Sequence, residues 1–334
     1  MTMNSARVAG TLGAAALLLG LAACGDAADT ASSDAVTVEN CGQDVSFDAP
    51  PERVTLLKSA SVPTLDRLGV LDRVTARAGV YPPEYYDAST LAQLDQIPLI
   101  TDRLDDSGHL QISREEVTAT APDLVLGETD TVNRQVLSSS NIPLLEEPAL
   151  CGSIDGPVTW EHVWSQIDVY GTVFGRQDEA STYIAELRER LAAIEAEATD
   201  TEPFTVAVLY PSVGGGTTYA YGTGSMSHPV IDAAGGTNVF ADQDQRVFEV
   251  SSEEIVNRNP DVVIALHSSG TAASVRDAVL SLPGFDRTTA GHTSAVLPLL
   301  LNFAEPPTPL AVDGAEKLSD YIRGRHAMAE SDAI

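Results

Sequence analysis

The sequence predicts an α/β protein of two lobes, each a mostly parallel sheet flanked by helices, joined by a long helical connector. Three observations carry this. A fourteen-residue phrase occurs twice, as SREEVTATAPDLVL from Ser113 to Leu126 and as SSEEIVNRNPDVVI from Ser251 to Ile264. The segments around the two copies match in kind and order. Between the copies, Thr159 to Ala198 carries helical periodicity.

Each copy reads as helix, turn and strand. Ser113 with Glu116, and Ser251 with Glu254, fit the capping box that opens a helix. About two turns later the Pro-Asp pair stops it, because proline cannot continue the ladder and restricts the residue before it. The apolar runs LVLG and VVIAL then read as buried parallel strands. Upstream, RVTLL (Arg53–Leu57) and TVAVLY (Thr205–Tyr210) read as the first strand of each half. PTLDRLGV (Pro63–Val70) and PVIDAAGG (Pro229–Gly236) read as the following helix with its glycine stop. Downstream, VNRQVLSSSNIPLLEE and VRDAVLSLPGF with TSAVLPL add a further helix and strand to each half. In the connector, Val163, Ile167, Tyr170 and Phe174 share one helical face, as do Ile184, Leu187, Leu191 and Ile194, with Gly175-Arg176 as a break point. A stiff connector predicts that the lobes close only modestly around a ligand.

The first residues stand apart from the fold. Arg7 is the only charge ahead of an apolar run from Val8 to Cys24, which is short for a membrane span and ends in small residues, as an export signal does. Leu21-Ala22-Ala23-Cys24 resembles the lipobox of bacterial lipoproteins, in which the cysteine is lipidated; a plain secretory signal is the alternative. The expected organisation is a signal peptide at 1–23, a lipid-anchored flexible tether at 24–35, and an N-terminal α/β lobe at 36–157. The helical connector at 158–199, a C-terminal α/β lobe at 200–326 and a tail at 327–334 follow. With Cys24 lipidated, Cys41 and Cys151 remain. Two cysteines in an oxidising compartment suggest one disulfide, two free thiols being the alternative.

Composition bounds the function. A hydrophobic content of 43% with 20% charged residues describes a globular protein rather than a disordered one. Cleavage after Ala23 removes Arg7 and leaves 18 basic residues against 48 acidic ones, a net charge of about −30. Lys58 and Lys317 are the only lysines. Such acidity argues against nucleic acid and against anionic membrane surfaces as partners. The acids are scattered, so they do not suggest a metal site.

The lipobox, the two α/β halves, the helical connector and the twice-used phrase together resemble one family, the substrate-binding lipoproteins of ABC importers for iron–siderophores, haem and cobalamin. The resemblance covers about Val36 to Arg325 and extends to APPERVTLL, LGVLDRV, YGTVFGRQDEA and YAYGTGSMSHPVIDAAGGTNVFAD. It implies an exported monomer, lipid-anchored to the outer face of the cell membrane, without enzyme activity or cofactor. Its partners would be a membrane permease dimer with its ATPase, and its ligand a small-molecule iron chelate, a ferric siderophore. Cobalamin or haem is the alternative ligand; an extracellular enzyme or adhesin on a similar scaffold is the alternative outside the family. In this family an acidic residue on each lobe docks on the permease, and the matching positions here are Glu115 and Glu253. Both fall in the first turn of a helix, and a dimeric permease offers two equivalent pockets. Complementing the helix dipole is the competing role for them.

Ligands of open α/β sheets sit beyond the carboxyl ends of the strands. That rule selects LLKSAS with Ser59, the loop VYPPEYYD with Tyr81, Tyr85 and Tyr86, and the stretch from Val208 to Gly224 with Tyr210, Tyr219 and Tyr221. Tyrosine suits a mostly organic, partly polar ligand. Arg246 offers a partner for chelate oxygens, and His267, directly after a strand, offers a hydrogen bond or an iron ligand; a surface ion pair and a capped histidine are the competing readings. None of the six histidines pair at ligand spacing, which disfavours a bare-metal receptor. The run Gly214-Gly215-Gly216 lacks the ending of a P-loop, and the serine of GTGSM is displaced from a nucleophile elbow.

Overall fold

The computed structural model describes residues 35–105, 108–199 and 201–332, with side chains through residue 325. The expected signal segment, Cys24 and the tether up to residue 34 lie outside the described residues, as does the end of the tail. The chain opens with an antiparallel hairpin, β1 (Val36–Asn40) and β2 (Gln43–Phe47). The first lobe follows as β3 (Val54–Leu56), α1 (Val62–Arg67), β4 (Val74–Arg77), α2 (Ala88–Leu94), α3 (Arg114–Thr118), β5 (Leu124–Leu126), α4 (Arg134–Ser138) and β6 (Leu144–Leu145). Its four strands form a parallel sheet in the order β4-β3-β5-β6.

Two helices, α5 (Trp160–Phe174) and α6 (Gln177–Ala198), lead to the second lobe. That lobe comprises β7 (Phe204–Tyr210), β8 (Thr218–Tyr221), α7 (Ser227–Ala233), β9 (Gly236–Asn238), β10 (Val247–Val250), α8 (Ser252–Arg258), β11 (Val262–His267), α9 (Ala272–Leu280), α10 (Thr289–His292), β12 (Val296–Leu300) and α11 (Leu310–Asp332). Strands β9, β7, β11 and β12 lie parallel in that order, which repeats the order of the first sheet strand for strand. Antiparallel β8 and β10, not expected from the sequence, extend the sheet beside β7. The central strands are buried on both faces, so they read as unbroken apolar runs: every residue of β11 is buried, with Val263, Ile264 and Leu266 fully so. Each such side chain contributes about 1.5–3 kcal/mol of transfer free energy.

The connector is not one rod. Gly175 takes the left-handed conformation (φ 65°), which stops α5 and turns the chain into α6. Helix α5 packs under the first lobe, whereas α6 touches α1 on one side and α7 and α11 on the other. One hydrophobic cluster runs from Val38 and Leu65 through Ile167 and Leu187 to Val230 and Ala311, so apolar packing continues from the first lobe onto α7 and α11 of the second, whose sheet is packed in a cluster of its own. Both sheets therefore belong to one compact unit.

Candidate functional site

A cleft of about 570 Å³ opens where the carboxyl ends of the first sheet face the second lobe. Four of the nine residues selected for ligand binding line it: Ser59, Tyr85, Tyr221 and Arg246. The other five do not border it. Tyr81 turns back to donate to the Ala78 carbonyl at 3.0 Å, under the Arg77 guanidinium, and Tyr86 donates to the Ser59 carbonyl at 3.3 Å. Tyr210 and Tyr219 stand opposite one another where β7 meets β8, beyond the cleft. His267 is buried at the end of β11, its Nδ1 3.2 Å from the Ser269 carbonyl, so it takes the role of a capped histidine. Tyr81, Tyr86 and His267 thus spend their polar atoms on backbone carbonyls, whereas Tyr210 ends β7 and Tyr219 lies within β8, a strand where the sequence suggested a loop, and is exposed.

Each lobe contributes one cation to the cleft, and each cation rests on a buried glutamate. In the first lobe Lys58 Nζ pairs with Glu146, whose side chain is only 2% exposed. Glu146 Oε2 also accepts from the Glu128 N–H at 2.7 Å, and Oε1 accepts from the Glu147 N–H at 2.7 Å. In the second lobe Arg246 donates to Glu305 Oε2 at 2.9 Å, and Glu305, 1% exposed, accepts from the Met226 N–H at 2.8 Å through Oε1. Burial pushes the Glu305 carboxyl above its ordinary range, opposed chiefly by the Arg246 guanidinium. The arrangement is pseudo-symmetric: Glu146 directly follows β6, and Glu305 lies just beyond β12, the corresponding last parallel strand.

The fold holds these groups rigidly. Gly127, with φ of 99°, lets the Lys58 stem lie across it, since a Cβ there would stand 3.1 Å from Lys58 Cγ. Asn40 at the end of the first hairpin strand exchanges two hydrogen bonds with the Glu146 backbone, and Arg134 clamps Asn40 from below. Next to this contact Cys41 and Cys151 are joined by a disulfide, which closes 110 residues of chain behind Glu146. Behind it again, Tyr170 donates to Glu147 Oε1 at 2.9 Å; burial, helped by the Glu146 charge, pushes the Glu147 carboxyl up to about 8.

Sequence reasoning did not select Lys58, Glu146, Asn302 or Glu305. Lys58 carried a usable signal, as one of two lysines and placed at the end of the first strand. Glu305 carried none, because it follows an irregular turn.

The repeated phrase is only partly symmetric. At Ser113 the full capping box forms: the Ser113 N–H donates to Glu116 at 2.8 Å and the Glu116 N–H to Ser113 Oγ at 3.2 Å. At Ser251 the expected box is half made. Ser251 Oγ accepts from the Glu254 N–H, but the Glu254 carboxylate instead accepts from Arg258 Nε at 2.7 Å, one turn along. Glu115 and Glu253 are exposed at the second position of α3 and of α8.

These features can be set beside known proteins. The sequence profile described as periplasmic binding protein matches residues 54–299, most of both lobes. The chain belongs to the periplasmic binding protein family. A solved structure of an ABC-type Fe3+-hydroxamate transport system from Saccharomonospora viridis is 50% identical, with 86% of this chain and 98% of that one covered and a TM-score of 0.82. A cobalamin-binding protein of Halobacterium salinarum is 29% identical over 303 residues, covering 88% of this chain and 75% of the relative. A periplasmic heme-binding protein from Roseiflexus, 21% identical with a TM-score of 0.63 over 81% of this chain and 99% of that one, shares the fold. Members of this family bind substrates for transporters outside the cytoplasm and are not enzymes. Among the described residues no helix is long and apolar enough to cross a membrane, and no three His, Cys, Asp or Glu side chains gather to hold a metal ion.

Proposed function

We propose that the protein is the lipid-anchored, substrate-binding component of an ABC importer and that it captures a ferric siderophore of the hydroxamate class between its lobes. The observation that carries this reading is the cleft with one cation donor from each lobe, Lys58 and Arg246, each neutralised from behind by a buried glutamate. A ferric trishydroxamate presents oxygen acceptors around a neutral metal centre and apolar linkers outside it. Lys58 and Arg246 supply donors to the oxygens, while Tyr85, Tyr221 and Val247 supply apolar walls for the linkers. The half-identical Fe3+-hydroxamate relative supports the same class. For haem, Tyr81, Tyr85 and Tyr86 have their hydroxyls hydrogen-bonded to backbone groups and His267 bonds to Ser269, which leaves Tyr221 and His109 as the cleft side chains that would have to meet its iron. Cobalamin is the second reading, favoured by the Halobacterium relative.

In this reading Cys24 carries the lipid, the exposed Glu115 and Glu253 dock one on each permease subunit, and the chain works as a monomer. Titration of intrinsic fluorescence with a ferric trishydroxamate, a ferric triscatecholate, haem and cobalamin tests the ligand. Saturable quenching by the trishydroxamate at micromolar concentration or below is expected. A response to cobalamin alone moves the assignment to the second reading, and silence toward all four overturns it.

A further inference from the structure

We infer that Glu146 and Glu305 set the charge preference of the cleft, holding Lys58 and Arg246 as hydrogen-bond donors while cancelling their attraction for anions, so that the protein selects neutral or cationic ferric chelates over polyanionic ones. The inference rests on the siderophore reading above and deepens it.

The ionisable side chains around the cleft show the balance. Among the described residues, Lys58 and Arg246 are the cations and Glu128, Asp130, Glu146 and Glu305 the acids, with His109 at the rim. The acids outnumber the cations by two. Without Glu146 and Glu305 the two cations would match Glu128 and Asp130, and the cleft would be balanced. The chain as a whole is strongly acidic as well, with a formal net charge of −29, so the field outside the cleft also repels anions.

Glu146 and Glu305 are not needed to keep the cations in solution. Lys58 and Arg246 are each about one-third exposed, at 33% and 34%, and water would solvate them without a partner. The glutamates, by contrast, are almost wholly buried, a costly place for a carboxylate. Both lobes nevertheless place one after the last parallel strand, directly in the first and past a short turn in the second, anchored by backbone N–H groups from Glu128 and Glu147 in one lobe and from Met226 in the other. A cleft built to attract trianionic chelates would leave its cations unneutralised. Here each cation keeps outward donors and loses its net charge. Glu146 and Glu305 are thus positioning residues that act through Lys58 and Arg246.

The test uses the full chain and two probes, the cationic ferric complex of desferrioxamine B and a trianionic ferric triscatecholate. Wild type should prefer the first by about a hundredfold, and raising salt from low ionic strength to about 0.5 M should narrow that gap by screening the repulsion. Glu146→Gln and Glu305→Gln, which remove the charge but keep the shape and one acceptor oxygen for a backbone N–H, should each narrow it about tenfold at low salt. The pair Arg246→Gln with Glu305→Gln, which removes both charges together, should weaken both probes but return the ratio toward wild type. A purely structural role for the glutamates would lower both affinities alike and leave the ratio unmoved, and that outcome overturns the inference. If the glutamine variants fail to fold, the wild-type salt series decides: a ratio indifferent to salt overturns it too. Wild type that binds neither probe overturns the siderophore reading and this inference with it, whereas binding with an unmoved ratio overturns the inference alone.

Discussion

Asn302 Nδ2 donates to Ser59 Oγ at 3.0 Å, joining the end of the last strand of the second lobe to the end of the first strand of the first. The Asn302 N–H donates in addition to the Tyr85 hydroxyl at 2.9 Å, and the Tyr85 ring meets Phe303 edge-on at 5.1 Å. The floor of the cleft is therefore a hydrogen-bonded crossing, and the continuous core beneath it opposes large relative movement of the lobes.

Tyr85→Phe keeps the ring and removes the acceptor for the buried Asn302 N–H. We expect it to lower unfolding free energy by about 1–2 kcal/mol, read from urea denaturation. An unchanged midpoint would show that the crossing contributes nothing.

Glu147 makes stability depend on pH with a definite sign. Its carboxyl is pushed up from an ordinary 4.5 to about 8 by burial first and by the Glu146 charge second, with Tyr170 and Lys58 opposing. Below about pH 4.5 both folded and unfolded chains hold the proton. Between there and pH 8 the unfolded chain releases it while the folded chain keeps it, so this group's contribution to stability falls as pH rises. The slope approaches about 1.4 kcal/mol per pH unit for one proton. Glu147→Gln should remove that loss, so its stability relative to wild type should grow from pH 5 to pH 8. A difference that stays constant or shrinks over that window contradicts the assignment.

Glu115→Ala with Glu253→Ala should abolish uptake of the ligand in cells while its affinity for the purified protein stays within about twofold of wild type, because both residues are exposed and outside the cleft. Loss of affinity instead would assign these residues to ligand capture.

The bond between Cys41 and Cys151 closes a long loop and sits beside the Asn40 clamp on Glu146. Cys41→Ser with Cys151→Ser should cost about 2–5 kcal/mol of stability and weaken ligand binding as well, since the strand end bearing Glu146 loses its support. Thermal unfolding and the fluorescence titration read the two effects separately.

Much of the architecture was legible because its causes are local. Strands buried on both faces leave contiguous apolar runs, as in VVIAL, and helix starts leave caps three residues apart, as in Ser113 with Glu116. Even so, one local motif misled: Ser251 and Glu254 have the spacing of a capping box, yet Arg258, one turn further, takes the carboxylate. The antiparallel strand β8 was hidden because its pairing with β10 depends on residues far along the chain.

By itself the sequence determined the two-lobed α/β plan, the duplicated helix-turn-strand unit and the positions of the loops at the strand ends. Those features follow from unbroken apolar runs, helix caps and a helical period of about 3.6 residues, which contiguous residues encode. Only the tertiary structure decided which loop side chains reach the cleft. Lys58 meets its glutamate 88 residues away and Arg246 meets its own 59 residues away, because strand ends converge there and a buried carboxylate must find a cation or an N–H. The same requirement turned Tyr81, Tyr86 and His267 toward backbone groups and away from the cleft.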